Sequence, residues 1–303
     1  MSRLKADLLL LLVALIWGLA FVAQKDAMQH IGPLTFIAAR FAISALVVLP
    51  LAFREHRKAS TPTEKFEAGH IPDFLLLCTV FAGGVILQQA GIVRTSITNA
   101  GFLTGLYVLF VPIVCAVIYR QTLSRVVFPA ALLSVAGVWL LSGGMESLRL
   151  NLGDVLVIGC AICFGFQVAV VSRVVGKIKA PLRICFIQYT AVGLVALAGA
   201  LAYETPGFAD MAPALPAILY AGLLSGGVAY TLQVVAQQYT PASDSAVILS
   251  AESLFAAVGG AVLAQDRLSP AGFAGCGLIV SAIMLVEFGP MLWRQRIPKA
   301  QNF

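Results

Sequence analysis

Residues 7–23 read DLLLLLVALIWGLAFVA, and residues 154–170 read DVLVIGCAICFGFQVAV. Each stretch opens on an aspartate and stays apolar for nearly the length of a bilayer crossing. Each also carries an aromatic–glycine pair at the same place, Trp17-Gly18 and Phe164-Gly165, at an offset of 147. Further echoes follow at almost the same spacing. VFAGGVILQQ at 80–89 is answered by LLSGGVAYTLQ at 223–233, and RQTLS ending at Ser124 by QDRLS ending at Ser269. The chain therefore reads as two related halves, residues 1–146 and 147–303.

Composition says which solvent the halves meet. Of 303 residues, 60% are hydrophobic and only 11% charged, and the mean hydropathy is +0.93. A soluble domain carries about 25% charged residues, so lipid is the partner of most of this surface. Ten runs are long and apolar enough, or nearly so, to cross a bilayer: 7–24, 33–53, 72–93, 98–119, 126–143, 152–175, 181–203, 214–238, 243–264 and 270–292. The first run is preceded by Arg3 and Lys5, as a signal peptide would be. It lacks a small-x-small cleavage site and has a counterpart in the second half, so it reads as a retained helix.

Five spans per half is an odd number, so the second half enters the membrane from the opposite side. The predicted fold is an all-α integral membrane protein of ten helices, arranged as two inverted five-helix repeats around a central cavity. Charge placement agrees. Fifteen of the 20 Lys and Arg fall on the side of both termini, against Lys25, Arg94, Arg149 and Arg267 on the other side and Arg40 within a span. This asymmetry puts both termini in the cytoplasm, for a bacterial chain beneath the inner membrane. It also spreads the net charge of +6 along one membrane face, which argues against nucleic acid as a partner.

Three stretches carry a family likeness: ALIWGLAFVAQKDAM near the start, NAGFLTGLYVLFVP at 99–112, and SAVILSAESLFAAVGGAVLAQDRLS at 245–269. In order and spacing they resemble the EamA-type drug/metabolite transporters, over essentially the whole chain. The resemblance implies ten helices around a cavity and export or exchange of small metabolites, with amino-acid exporters, aromatic ones included, as one branch. The Gly-Glu pair that usually closes each half reads Arg120-Gln121 and Gln265-Asp266 here, and the family's Glu-Pro of the ninth span reads Glu252-Ser253.

Polar residues inside spans are the candidate substrate-binding groups, because hydrocarbon makes them costly. Arg40 lies roughly 10 Å below the outer face and Glu252 roughly 13 Å from the inner one, at 1.5 Å per residue. Arg40 suits a carboxylate and Glu252 a proton; the plainer alternative is that they pair with each other or with backbone carbonyls. Gln188 mirrors Arg40 in depth at an offset of 148, and Gln88 and Gln233 are related by 145. Neutral amides bind a zwitterion without a buried charge, or simply join helices. Gln237, near a span end, is expected to be wet. Trp17, Tyr107 and Tyr230 lie mid-span, away from the interfaces where such residues anchor; they suit an apolar or aromatic substrate, as they suit ordinary packing.

In NAGFLTGLYVLFVP, Asn99, Thr104 and Tyr107 are read as facing a cavity. Gly101 and Gly105 form a small-x-x-x-small strip for close helix packing, as do Gly222 and Gly226 in the eighth span. Pro112 bends the fourth span. The expected partners are a small-molecule substrate and the lipid bilayer.

No phosphate loop is present, so no nucleotide is expected. No H-E-x-x-H occurs, His30, His56 and His70 lie outside the spans, and Cys160-x-x-Cys163 stands alone as a buried apolar pair, so no metal or other cofactor is expected. Catalytic residues are not expected either: Ser250 and Glu252 face different ways on a helix. A receptor or scaffold without transport is the alternative of a different class. Among transporters, a cation carrier would need more acids than Glu252 and a phosphate carrier more bases than Arg40. The sequence therefore favours a neutral or zwitterionic, partly apolar molecule.

Overall fold

The computed structural model describes residues 1–59, 66–141, 151–205, 207–263 and 269–294. The described chain is helical, as hydrocarbon demands of a backbone that must bond to itself. In order the helices are α1 Arg3–Ala27, α2 Pro33–Lys58, α3 Ile71–Arg94, α4 Ile97–Gly105, α5 Tyr107–Ile113, α6 Val127–Leu141, α7 Leu152–Lys177, α8 Pro181–Tyr203, α9 Phe208–Leu219, α10 Thr231–Ala236, α11 Ala242–Leu249, α12 Ala251–Leu263 and α13 Pro270–Arg294. Leu4, Leu46, Leu132, Leu194 and Leu201 are exposed, the outward apolar surface that a bilayer covers.

Eight helical stretches among the described residues are long and apolar enough to cross a membrane. Of the two remaining predicted spans, α6 is described only as far as Leu141, and the ninth span is divided at Ser250 into α11 and α12. The halves' junction at 146–147, the Gln265-Asp266 pair, and Lys65, Arg149, Arg267, Arg296 and Lys299 of the charge pattern lie outside the described residues.

Three predicted continuous spans are interrupted. The fourth breaks at Leu106 between α4 and α5, then widens into a π-helical turn at Val114–Ile118. Pro112 alone was expected to bend it; Gly105, a poor helix former, stands directly at the break. The eighth starts at Phe208 and is π-helical over Tyr220–Tyr230. The ninth breaks although it lacks the family's proline. There the Ser250 hydroxyl donates to Val247 O at 2.6 Å, and such back-bonding competes with the helix ladder.

Packing crosses between the halves. α2 lies on α8, α3 on α7, α6 on α13, and α1 on α12 and the π-helical stretch. Pro33 and Pro181 open α2 and α8, where a missing N–H costs nothing. The next amides are capped by an acid at the far end of the partner helix. Glu204 accepts from Leu34 N at 2.9 Å and Thr35 N at 2.8 Å. Glu55 accepts from Arg183 N at 2.9 Å and Leu182 N at 3.4 Å. Each helix therefore ends where the other begins, and the pair runs antiparallel.

A second matched pair ties each half's first helix to a turn. Thr240 Oγ1 donates to Asp7 at 2.6 Å, and Thr95 Oγ1 donates to Asp154. On α1, Lys25 Nζ donates to Ile92 O at 2.6 Å and Thr95 O at 2.9 Å, holding carbonyls at the negative end of α3.

The two glycine pairs differ. A Cβ on Gly222 would meet Ile43 Cβ at 2.8 Å and Arg40 O at 3.0 Å, and Gly226 is equally crowded by Ser44. In the fourth span, by contrast, a Cβ on Gly101 would meet nothing within 4 Å, and one on Gly105 only ordinary contacts at 3.8 Å and beyond. That strip does not seat a neighbouring helix: the four-residue spacing supplies a smooth face, but only tertiary placement supplies a helix to fill it. Gln237, expected to be wet, is buried and donates to Val168 O at 3.0 Å and Ser172 Oγ at 3.1 Å.

Candidate functional site: a polar cavity between the halves

Spans from both halves surround a small, partly polar cavity. Eight of the ten candidate binding residues line it: Trp17, Arg40, Gln88, Thr104, Tyr107, Tyr230, Gln233 and Glu252. They come from α1, α2, α3, both pieces of the fourth span, the end of the π-helical stretch, α10 and the start of α12. Thr104 and Tyr107 flank the break at Leu106, and Glu252 follows the break at Ser250. The two interruptions thus bring polar side chains to the cavity where an unbroken helix would keep its backbone bonded.

Asn99 and Gln188 are elsewhere. Asn99 sits in the first turn of α4, where its amide nitrogen donates to the Ser96 cap and its side chain reaches Asp154 at 3.4 Å. Gln188 is fully buried in α8 with both amide atoms unpartnered, but it is not on the cavity wall. Mirror depth fixed its height in the membrane, not the direction it takes around its helix.

The wall is part apolar and part unpaired. Tyr230 stacks on Trp17 with centroids 4.6 Å apart, and Phe81 packs on Tyr230 at 4.9 Å. The Trp17 indole donates to Ser225 O in the π-helical stretch at 3.2 Å. Gln88 donates to Thr104 at 3.3 Å. Arg40 does not pair with Glu252. Its Nη1 donates to Gln24 at 3.1 Å, while its plane lies over Phe41 at 4.9 Å and Phe36 at 5.3 Å. Arg40 Nε and Nη2, the Tyr107 hydroxyl, both amide atoms of Gln233 and Glu252 Oε1 are buried without a hydrogen-bond partner. Such atoms are rare in folded proteins and each costs about 1–3 kcal/mol. Other such atoms lie elsewhere, Gln188's among them; those of the cavity wall are the ones a bound molecule can meet.

Eight lining residues were not singled out for binding by the sequence, and the polar ones among them are Gln24, Gln167 and Ser225. Phe164 and Gln167 both come from α7. Gln24 directly precedes Lys25 at the charged end of α1, where a polar residue reads as an interfacial one. Among the described residues, no group of three or more His, Cys, Asp or Glu is placed to hold a metal ion.

The model of the EamA-like transporter family matches twice, over residues 4–143 and 151–288. An uncharacterized transporter of Archaeoglobus fulgidus is 32% identical, over 94% of this chain and 87% of its own length. Another, YwfM of Bacillus subtilis, is 22% identical over 94% of both. A solved crystal structure superposes with a TM-score of 0.79, covering 97% of this chain and 99% of its own, at 16% identity, a likeness of fold alone. With both halves matched and a polar cavity between them, this chain belongs to the EamA-like transporter family and is an integral membrane transporter.

Proposed function

We propose that the chain exports small, partly apolar metabolites bearing a carboxylate, amino acids and aromatic ones first, by alternating access at this cavity. The observation that carries the reading is the set of unpaired polar atoms on the wall. A zwitterion supplies an anion to Arg40 and a cation to Glu252, and Trp17 and Tyr230 take an apolar side chain. The buried costs are then offset when substrate is bound.

The proposed architecture is ten spans in two inverted repeats, 1–146 and 147–303. The fourth span is α4 and α5 with the π turn, the eighth is α9 and α10 with the π-helical stretch between them, and the ninth is α11 with α12. The reciprocal caps of α2 and α8, the matched Asp–Thr bonds and the breaks at corresponding places support it. Interrupted helices in corresponding positions of two repeats are a recurring sign of a carrier's binding site. Both termini face the cytoplasm of a cell whose plasma membrane, the inner one in a bacterium, holds the protein.

A proton-coupled mechanism is the second reading, and one observation favours it: Glu252 is a buried carboxylate on the cavity with an unpartnered oxygen. The test is uptake of radiolabelled amino acids into proteoliposomes, with and without a pH gradient. Saturable flux without a gradient supports facilitated transport. Flux that requires the gradient and is lost in Glu252→Gln supports coupling. No flux for any amino acid overturns the substrate claim.

A further inference from the structure

We infer that Gln24 is a specificity-determining positioning residue: it holds the Arg40 guanidinium so that one two-donor edge is kept for a substrate carboxylate. The inference rests on the reading of Arg40 as the carboxylate site.

A guanidinium has five N–H donors and satisfies many acceptor shapes. Here its choices are narrowed. Nη1 is engaged by Gln24 Oε1 at 3.1 Å. The plane is covered by Phe41 and Phe36. What remains is Nε with Nη2, both buried and unpartnered. These two nitrogens carry parallel N–H bonds along one side of the group. A planar carboxylate satisfies both at once, whereas an amide or hydroxyl oxygen presents no matching pair of acceptors.

Gln24 is itself held. Its backbone carbonyl accepts from Gln89 Nε2 at 3.4 Å, and the neighbouring Lys25 is fastened to Ile92 O and Thr95 O. Both Gln24 and Arg40 line the cavity. The choice of a neutral acceptor matters. A glutamate at 24 would hold Arg40 equally well but cancel its charge, and would repel the incoming carboxylate. Glutamine orients the cation without neutralising it.

The test compares L-phenylalanine with L-phenylalaninamide, which keeps the ring and the amine but lacks the carboxylate. Uptake into proteoliposomes is measured for the parent protein and for Gln24→Met, which matches the glutamine in length and lacks the acceptor. A second readout needs no transported substrate: the rate at which phenylglyoxal modifies Arg40, followed by peptide mass spectrometry.

The expected result is a KM for phenylalanine raised about tenfold or more, the worth of one charge-assisted hydrogen bond. kcat changes little, the KM for the amide is unchanged, and Arg40 is modified several-fold faster. Parallel loss of both substrates, or an unchanged KM for phenylalanine, overturns the inference. Should the parent protein carry neither compound, the reading of the substrate fails by itself. The modification rate then decides: faster in Gln24→Met supports a held fork, and an unchanged rate overturns it.

Discussion

At the scale of single residues, burial and partnership separate the charges that hold the protein together from those that work. Glu204 and Glu55 have bonded partners, whereas Arg40 keeps two bare donors and Glu252 one bare oxygen. A structural charge removed from such surroundings leaves its partner stranded. A functional one removed relieves a cost. Arg40→Met is therefore expected to lower uptake of carboxylate substrates at least tenfold while leaving the thermal midpoint in detergent unchanged or higher. A clear fall in the midpoint would mean Arg40 serves the fold. Tyr107 falls in the same class, since its buried hydroxyl has only the neighbouring Glu252 carboxylate to interact with; Tyr107→Phe is expected to spare stability and weaken substrate binding, read by ligand-induced thermal shift.

At the scale of elements, backbone irregularity and tight contact are placed with some economy. Gly222 lets the π-helical stretch rest on the backbone of α2 at Arg40. A side chain there would push on the helix that carries the guanidinium. Gly222→Val is expected to cost about 1–3 kcal/mol by overpacking. Gly101→Ala, where the space is open, is expected to be neutral or to stabilise by up to about 1 kcal/mol through helix propensity. Thermal unfolding of the two variants side by side checks the contrast. Lys25 joins α1 to the end of α3 through carbonyls that have no further helical partner. Lys25→Met is expected to speed amide exchange around residues 92–97 several-fold, with protection elsewhere preserved. Uniform loss of protection would instead mark a global destabilisation.

At the scale of the whole molecule, α2 and α8 form an antiparallel pair closed by one carboxylate at each end. Thr35 and Glu55 are twenty residues apart, about 30 Å along a helix, so the caps act independently. Glu55→Gln and Glu204→Gln are each expected to cost about 0.5–2 kcal/mol, as a lost N-terminal cap does, and to add within about 0.5 kcal/mol in the double variant. Strong coupling between them would mean that the two ends move together.

The sequence by itself determined the solvent, the helices and the family. Hydropathy, charge asymmetry and the paired motifs Trp17-Gly18 and Phe164-Gly165 act through composition and order along the chain, which need no neighbours to be read. It also named half of the residues that line the cavity, because a polar residue in hydrocarbon has few places to go. Only the tertiary structure decided the directions. Asn99 and Gln188 had suitable chemistry and depth, yet rotation about their helix axes placed them away from the cavity. Gln24, the last residue of the first predicted span, drew no reading from the sequence; α2 laid Arg40 beside it. The break at Ser250 carries no proline or glycine that would mark it in the sequence. Depth in a membrane is a one-dimensional property that a sequence records; which side chain faces which is fixed only when the helices pack.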